Sequence, residues 1–189
     1  QIEVAHQELD QLVNALLPYA DGFVWNPFSP NTSALAALRT PEQFKRSAKL
    51  IKEKMLNDEL VLVKMGPYDH ANKESWLALL TGWFEGGGDG LVAVNTYMVP
   101  KELVPSDEWG YPSAGKSGRF LQEYRSRAIA DARAKFPDSI IIATGGIDSA
   151  DEAWKSFEAG ANAVEGYTPY TFNGFGLLKV MAKGLERKL

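Results

Sequence analysis

Hydrophobic and polar residues alternate along this chain in a repeating order that predicts short buried strands, each followed by an amphipathic helix. Five apolar runs that are too short for helices predict strands at residues 23–25, 60–63, 91–94, 140–143 and 162–166. After each run, apolar residues recur every three or four positions, which is the spacing of a helix with one buried face. A further helical pattern precedes the first strand and ends near residues 20–22. Strands that alternate with helices indicate an α/β fold with a parallel sheet.

The number of β/α units in the chain limits which architectures are possible. An eight-stranded β/α barrel takes about 250 residues, whereas the chain has 189. We therefore predict a (β/α) TIM-barrel type fold of which about five of the eight β/α units are present, as a single domain over residues 1–189. Such a sheet has an open edge unless something completes it. Because the chain begins inside a helical pattern, we expect the N-terminal units on an upstream segment or on another polypeptide.

Local signals refine the element boundaries. Thr40, Pro41 and Gln43 predict a helix that begins with a capping box. Asp148 or Ser149 is expected to cap the helix that follows 140–143. The glycine-rich run 86–90 lies between a helix and a strand, so it predicts a helix end rather than a nucleotide-binding turn. Residues 97–117 are predicted as the longest irregular stretch, and loops of this length in compact domains are usually lids, binding loops or disordered segments.

Composition and charge exclude several classes of function. The net charge is -4 and the sequence pI is near 5.3, without a basic cluster, so the chain lacks the electrostatic footprint of a nucleic-acid-binding protein. No segment approaches the roughly 20 apolar residues of a membrane span. The absence of cysteine excludes disulfides and cysteine metal ligands. The two histidines, His6 and His70, are expected to be solvated rather than catalytic, and we predict no metal site. Since no signal peptide is evident, we expect a protein that is not secreted.

Residues 139–168 predict a phosphate cradle around which the rest of the chain is arranged. Gly145 and Gly146 follow a predicted strand and allow the backbone to approach a ligand closely. Tyr167 and Thr168 leave the next strand, where amides and a hydroxyl can face the same ligand. Paired loops after the last two strands of a β/α barrel often bind a phosphate. The alternative interpretation is that the two glycines form only a turn.

Polar residues also follow the earlier strands, at the end of the sheet where barrel enzymes carry their chemistry. The irregular loop 26–32 follows the first strand and contains two asparagines and two prolines. Lys64 ends the second strand, where an ammonium group needs either a partner or solvent. Asn95 and Thr96 follow the third strand. These positions are candidates for substrate or cofactor contacts.

Taken together, these motifs resemble those of the dihydroorotate dehydrogenases, over the C-terminal five β/α units of that family's flavin-binding barrel. The loop 26–32, with sequence NPFSPNT, is similar to the family's Asn-x-x-Ser/Cys-Pro-Asn loop, and residues 63–65 resemble its flavin lysine strand. The later matches are Asn95-Thr96, Ser117-Gly118, Thr144-Gly145-Gly146-Ile147 and Tyr167-Thr168. The order and spacing of all six motifs agree with the family.

The resemblance implies FMN as cofactor and the oxidation of dihydroorotate to orotate in pyrimidine biosynthesis. Ser29 would be the catalytic base that takes the C5 proton, and the hydride would pass to the flavin. The implied substrate-binding residues are Asn26, Asn31, Asn95 and Thr96. The implied cofactor-binding residues are Asn26, Lys64, Asn95, Ser117, Gly118, Thr144, Gly145, Gly146, Tyr167 and Thr168.

A serine at position 29, where other branches carry cysteine, resembles the quinone-using branch of the family. This branch implies a quinone acceptor. It also implies peripheral membrane association through residues outside this chain. The expected location is therefore cytoplasmic or peripheral at a bacterial or mitochondrial inner membrane. Pro27, Phe28 and the charged, aromatic segment 101–111 depart from the family pattern. Two alternatives remain open, namely a non-catalytic fragment or scaffold that keeps the phosphate cradle, and a related flavin-dependent dihydropyrimidine dehydrogenase.

Overall fold

A computed structural model of the chain describes residues 1–29, 32–57, 59–100 and 113–188. The helices are α1 (Ile2–Leu16), α2 (Pro41–Lys52), α3 (Lys73–Glu85), α4 (Gln122–Lys135), α5 (Ala150–Glu158), α6 (Thr168–Asn173) and α7 (Gly176–Glu186). The strands are β1 (Gly22–Trp25), β2 (Leu60–Lys64), β3 (Gly90–Ala93), β4 (Tyr97–Pro100), β5 (Ser113–Lys116), β6 (Ile140–Thr144) and β7 (Ala163–Glu165). None of the helices in these ranges is long and apolar enough to span a bilayer.

One compact unit comprises residues 1–92 together with 138–140. In this unit β1 pairs with β2 and β2 pairs with β3, both in parallel. An aromatic cluster fills the layer between strand and helices, since Trp83 of α3 stacks on Trp25 of β1 at 5.7 Å and Phe44 of α2 contacts Trp25 edge-on at 5.1 Å. The indole nitrogen of Trp83 donates to the carbonyl of Gly90 at 3.0 Å, so the large ring is buried without an unpaired donor.

The other compact unit comprises residues 93–137 together with 141–189. Strands β6 and β7 pair in parallel, and α4 and α5 pack with their small and aliphatic residues buried. Ile129 of α4, Ile141 of β6 and Ala153 of α5 are fully buried. The prediction of a single domain over 1–189 stays a prediction.

The five predicted strands are confirmed, with β1, β2 and β3 adjacent in that order in one unit and β6 adjacent to β7 in the other. The prediction that 97–117 is irregular was wrong at the two ends of this stretch, because β4 and β5 pair there in antiparallel. Residues 101–112 between them lie outside the described residues. The antiparallel pair packs through Tyr97, whose ring lies 5.8 Å from Phe120 and 5.6 Å from Tyr124. Two prolines and one glycine lie between the strands and favoured the prediction of an irregular segment.

The predicted helix starts are confirmed in part. The hydroxyl of Thr40 accepts a hydrogen bond from the Gln43 amide at 3.2 Å, but the capping box is incomplete. The side-chain oxygen of Gln43, which would accept the return bond, is buried without a partner among the described residues. At α5 the cap is Ser149, whose hydroxyl accepts from the Glu152 amide at 3.2 Å.

The two histidines differ in their surroundings. His70 is exposed as predicted, but the expectation that His6 is solvated was wrong, because His6 is only 1% exposed. Its ring bonds to the carbonyl of Ile2 at 3.0 Å and to the hydroxyl of Ser47 at 3.1 Å, which ties α1 to α2. Burial lowers the pKa of His6, and the hydrogen bond to Ile2 only partly offsets this effect.

We therefore expect acid to destabilise the contact between α1 and α2. Since the pKa of His6 is lower in the folded chain than in the unfolded chain, the unfolded chain binds the extra proton first as the pH falls. The contribution of His6 to stability is complete above its unfolded pKa of about 6.5 and is lost as the pH falls below that value. His6→Gln should flatten this part of the pH profile of the unfolding temperature, measured by circular dichroism.

The exposed histidine supplies the matched control. His70→Gln should leave the slope of the unfolding temperature against pH unchanged. An identical slope for the wild type and His6→Gln would contradict the assignment of the acid sensitivity to His6.

Candidate active site

The turn between β6 and α5 depends on two glycines. Gly145 and Gly146 have φ angles of +104° and +72°, in the left-handed region that residues with a Cβ rarely adopt. A Cβ on Gly146 would lie 2.7 Å from the carbonyl oxygen of Gly118 and 2.8 Å from Cγ of Gln122. Both the backbone angle and the available space therefore require glycine at position 146.

A second loop lies against this turn. Gly118, which follows β5, has a φ angle of +78°, and a Cβ there would lie 3.6 Å from Cγ2 of Thr168. The hydroxyls of Ser117 and Thr168 are 3.0 Å apart. The structure thus brings five of the predicted cofactor residues together. We call this group the glycine cluster, formed by Ser117, Gly118, Gly145, Gly146 and Thr168.

The other predicted cofactor and substrate residues in the unit of residues 93–137 and 141–189 differ in burial and in hydrogen bonding. Thr144 ends β6, and its carbonyl accepts a hydrogen bond of 2.9 Å from the Val94 amide. Tyr167 is 83% exposed, so any contact of its side chain with a ligand would form at the surface. Asn95 is buried, and its side-chain oxygen accepts from the Thr96 amide at 2.8 Å. This bond fixes the orientation of the Asn95 side chain two residues after the end of β3.

In the unit that contains β1 and β2, two predicted residues lie at neighbouring strand ends. Trp25 is opposite Val63 in the parallel pair, so the next residues, Asn26 and Lys64, lie at the same edge of the sheet. Lys64 is half-buried at the end of β2. The structure therefore places together two polar residues that are separated by a helix in the sequence.

The proposed base lies in the loop after β1. Ser29 is half-buried, and its carbonyl accepts a hydrogen bond of 3.4 Å from the Thr32 amide. The predicted substrate residue Asn31 and the segment 101–111 lie outside the described residues. The role of Asn31 therefore stays a prediction.

The residues at which this loop departs from the family pattern hold the loop in place. The side-chain oxygen of Asn26 accepts from the Phe28 amide at 3.3 Å. Arg39 donates to the carbonyl of Pro27 at 3.0 Å and lies 4.9 Å from the centre of the Phe28 ring. The Phe28 ring covers Gly66, where a Cβ would overlap it. Burial of the guanidinium lowers the pKa of Arg39. The loops after β1 and β2 thus pack directly on each other.

A buried arginine beside the glycine cluster was not predicted. Arg125 of α4 is fully buried and donates to the carbonyl of Gly145 at 2.7 Å and to the carboxylate of Glu152 at 2.8 Å. A signal was present in the sequence, because Arg125 follows Leu121 by four residues and precedes Ala128 by three. This spacing places a charged residue on the apolar face of a helix, where it needs a buried partner.

Glu152 is that partner. Burial opposes the ionisation of Glu152, but hydrogen bonds from Lys155 and Arg125 outweigh burial and lower the pKa of the carboxyl group. The ammonium group of Lys155 lies 2.6 Å from the second carboxylate oxygen. The buried guanidinium is therefore paired with a carboxylate that stays ionised at neutral pH.

Comparison with known proteins gives consistent matches over nearly the whole chain. The family model described as dihydroorotate dehydrogenase matches residues 2–189. The dihydroorotate dehydrogenase (quinone) of a Nitratiruptor species is 32% identical over 185 residues, which cover 97% of this chain and 50% of that protein. The protein of the same name from a Sulfurovum species is 32% identical over 190 residues, which cover 99% of this chain and 51% of that protein.

A solved structure described as ligand-free type DHODH from Eimeria tenella is similar with a TM-score of 0.79 and 26% identity, over 96% of this chain and 55% of that chain. This similarity and the alternation of strands and helices confirm the predicted barrel-type α/β fold with about five β/α units. The chain spans about half the length of the curated relatives that it matches.

Proposed function

Since the chain belongs to the dihydroorotate dehydrogenase family, as its strand-end motifs predict, we propose that it forms the FMN-binding and catalytic part of an enzyme that oxidises dihydroorotate to orotate. The proposed electron acceptor is a quinone, which the names of the curated relatives specify for those proteins. The observation that carries this proposal is the glycine cluster, because it unites residues from three separate loops.

The glycine cluster fits a phosphate group. Its backbone leaves no room for a Cβ at Gly146, and the hydroxyls of Ser117 and Thr168 lie within hydrogen-bond distance of each other. A hydrogen bond to a charged oxygen contributes about 1.5–3 kcal/mol. A few amides and two hydroxyls can therefore bind a phosphate without a lysine. FMN carries such a phosphate and riboflavin does not, so the cluster supports FMN as the cofactor.

The proposed chemistry removes a proton and a hydride from adjacent carbons. When bound, FMN supplies the acceptor for the hydride that leaves C6 of dihydroorotate. Ser29 takes the proton from C5, so that the electrons of the broken C5–H bond form the C5=C6 double bond of orotate. A serine hydroxyl is a weak base, and Ser29 must pass its own proton to water or to a neighbouring hydroxyl.

The other strand-end residues are proposed to bind and orient the reactants. Asn26, Asn31, Asn95 and Thr96 offer amide and hydroxyl groups of the kind that bind the ring amides and carboxylate of a pyrimidine. The fixed side chain of Asn95 supports this role, because a pre-oriented amide loses little freedom on binding. Lys64 supplies a positive charge that stabilises negative charge developing during reduction.

A visible spectrum and an anaerobic titration test the proposal. We expect the purified chain, reconstituted with FMN, to show flavin absorbance that dihydroorotate bleaches. A colourless protein that FMN cannot reconstitute would support the non-catalytic scaffold instead. Bleaching by other dihydropyrimidines but not by dihydroorotate would reassign the substrate while retaining the flavin.

We expect Lys64→Ala to weaken FMN binding by about tenfold or more, because one charge-assisted contact is lost. The same change should slow reduction by dihydroorotate, since the positive charge no longer favours the reduced state. Fluorescence titration of FMN and stopped-flow absorbance measure the two effects.

Lys45→Ala is the matched control for Lys64. Lys45 forms an exposed ion pair with Glu85 at 3.0 Å and lies on α2, away from the strand ends. Its removal should change neither FMN affinity nor the rate of reduction. Reduction kinetics of Lys64→Ala equal to those of the wild type would remove Lys64 from the site.

A further inference from the structure

Two side chains of α4 hold consecutive carbonyl groups of the glycine turn. Arg125 donates to the carbonyl of Gly145 at 2.7 Å, and Gln122 donates to the carbonyl of Gly146 at 2.8 Å. Both donors come from the first turn of the same helix. The turn is thus anchored from one side by two side chains rather than by backbone pairing.

These two bonds determine where the following amides point. The peptide bonds after Gly145 and Gly146 are trans, so each carbonyl and the next N–H point in opposite directions. With both carbonyls directed to α4, the amides of Gly146 and Ile147 face the other way. The part of the chain that the structure describes offers neither amide a hydrogen-bond acceptor. Two adjacent donors are therefore available to an anion.

Holding one carbonyl with a buried arginine costs free energy, because the charge and the donors of the guanidinium lose their contact with water. Its side chain is fully buried, its Nε has no partner among the described residues, and its charge requires the ionised carboxylate of Glu152. An apolar side chain of similar size would fill the same space without an unpaired donor, and such replacements are often neutral or stabilising. A role in orienting the turn accounts for this cost better than packing does.

We propose that Arg125, assisted by Gln122, is a positioning residue for phosphate binding, which holds the Gly145–Gly146 turn so that the amides of Gly146 and Ile147 face the phosphate of the cofactor. This inference rests on the proposed function. Glu152 belongs to the first turn of α5, so the Arg125–Glu152 pair also fixes the turn relative to the helix that follows it.

Comparison of FMN with riboflavin tests the inference, because only FMN carries the phosphate. We expect Arg125→Met to weaken FMN binding by about tenfold or more, as for the loss of one or more charge-assisted hydrogen bonds. Riboflavin affinity should stay unchanged. Arg125→Lys should recover part of the FMN affinity, because an ammonium can reach one of the two partners but lacks the planar fork.

Arg133 provides a matched control on the same helix. It also donates to a glycine carbonyl, that of Gly160, at 2.8 Å, but it lies two turns away from Arg125 along α4. Arg133→Met should leave the ratio of FMN to riboflavin affinity unchanged even where it lowers the unfolding temperature. An equal loss of both affinities in Arg125→Met would reduce Arg125 to a structural residue and overturn the inference, as would unchanged FMN affinity.

A second measurement separates this inference from the proposed function. Amide NMR of the wild type during titration with inorganic phosphate should show shifts at Gly146 and Ile147, and Arg125→Met should lose them. If the wild type binds no flavin, the proposed function fails, but the phosphate titration still tests the role of Arg125. Absence of the phosphate-induced shifts at Gly146 and Ile147 in the wild type would reject the inference about Arg125.

If Arg125→Met does not fold, Gln122→Leu replaces it in both measurements. This variant removes the donor to the Gly146 carbonyl and leaves the buried ion pair intact. We expect a severalfold loss of FMN affinity with unchanged riboflavin affinity and weaker phosphate-induced shifts. Wild-type values for all three would overturn the inference.

Discussion

Ser29→Ala is expected to lower the rate at which dihydroorotate reduces the bound flavin by about 10²–10⁴-fold, which is the usual contribution of a general base. The reason is that alanine cannot accept the C5 proton, while the half-buried loop around position 29 keeps its contacts through Asn26, Phe28 and Arg39. FMN affinity should be unchanged. Anaerobic stopped-flow absorbance measures the rate, and fluorescence titration measures the affinity.

Two further variants distinguish a base from a packing residue. Ser75→Ala removes an exposed hydroxyl on α3, and we expect wild-type kinetics from it. Ser29→Cys should retain activity with a pH profile that rises towards the cysteine pKa of about 8.5. Loss of FMN from Ser29→Ala would contradict the assigned role, because it would make Ser29 a cofactor ligand or a structural residue.

Gly146→Ala is expected to abolish FMN binding and to destabilise the folded chain. A residue with a Cβ in such a backbone conformation costs about 1–3 kcal/mol. The contacts of 2.7 Å with the Gly118 carbonyl and 2.8 Å with Gln122 add an overlap, which typically costs about 1–3 kcal/mol more. Because the overlap moves the Gly145–Gly146 turn away from the loop that holds Gly118, the hydroxyls and amides of the glycine cluster lose their common geometry. Urea unfolding and FMN titration measure the two effects.

Gly174→Ala separates the backbone strain from the overlap. Gly174 also has a left-handed φ angle, +67°, but a Cβ there meets no atom within 4 Å. This variant should lose stability through strain alone and should bind FMN as the wild type does. Equal effects of the two substitutions on FMN affinity would show that the overlap of an added Cβ with Gly118 and Gln122 is not the cause of the loss.

The glycine cluster was predictable from the sequence only in part. Gly145, Gly146 and Thr168 were identified because they follow two predicted strands, and strand ends can be located from local apolar runs. The pairing of Ser117 with Thr168 could not be derived in this way, since 51 residues separate them. The family resemblance named both residues, but the sequence contains no signal that they touch.

The structure explains two residues that departed from the expected patterns. Phe28 was a departure from the family loop, and the structure shows its ring packed on Gly66 beside Arg39. His6 was expected to be solvated, yet it is buried against Ser47 of α2. Each case depends on which neighbour covers a side chain, and local composition carries no information about that neighbour.

The sequence by itself determined the order of the β/α units and the polar residues at the strand ends, because helix and strand periodicities are local properties of about 5 to 15 residues. Only the tertiary structure decided that Arg125 holds the carbonyl of Gly145, 20 residues away, and that β4 pairs with β5. These contacts join distant segments, and their geometry arises from the packing of whole elements rather than from the preferences of the residues involved.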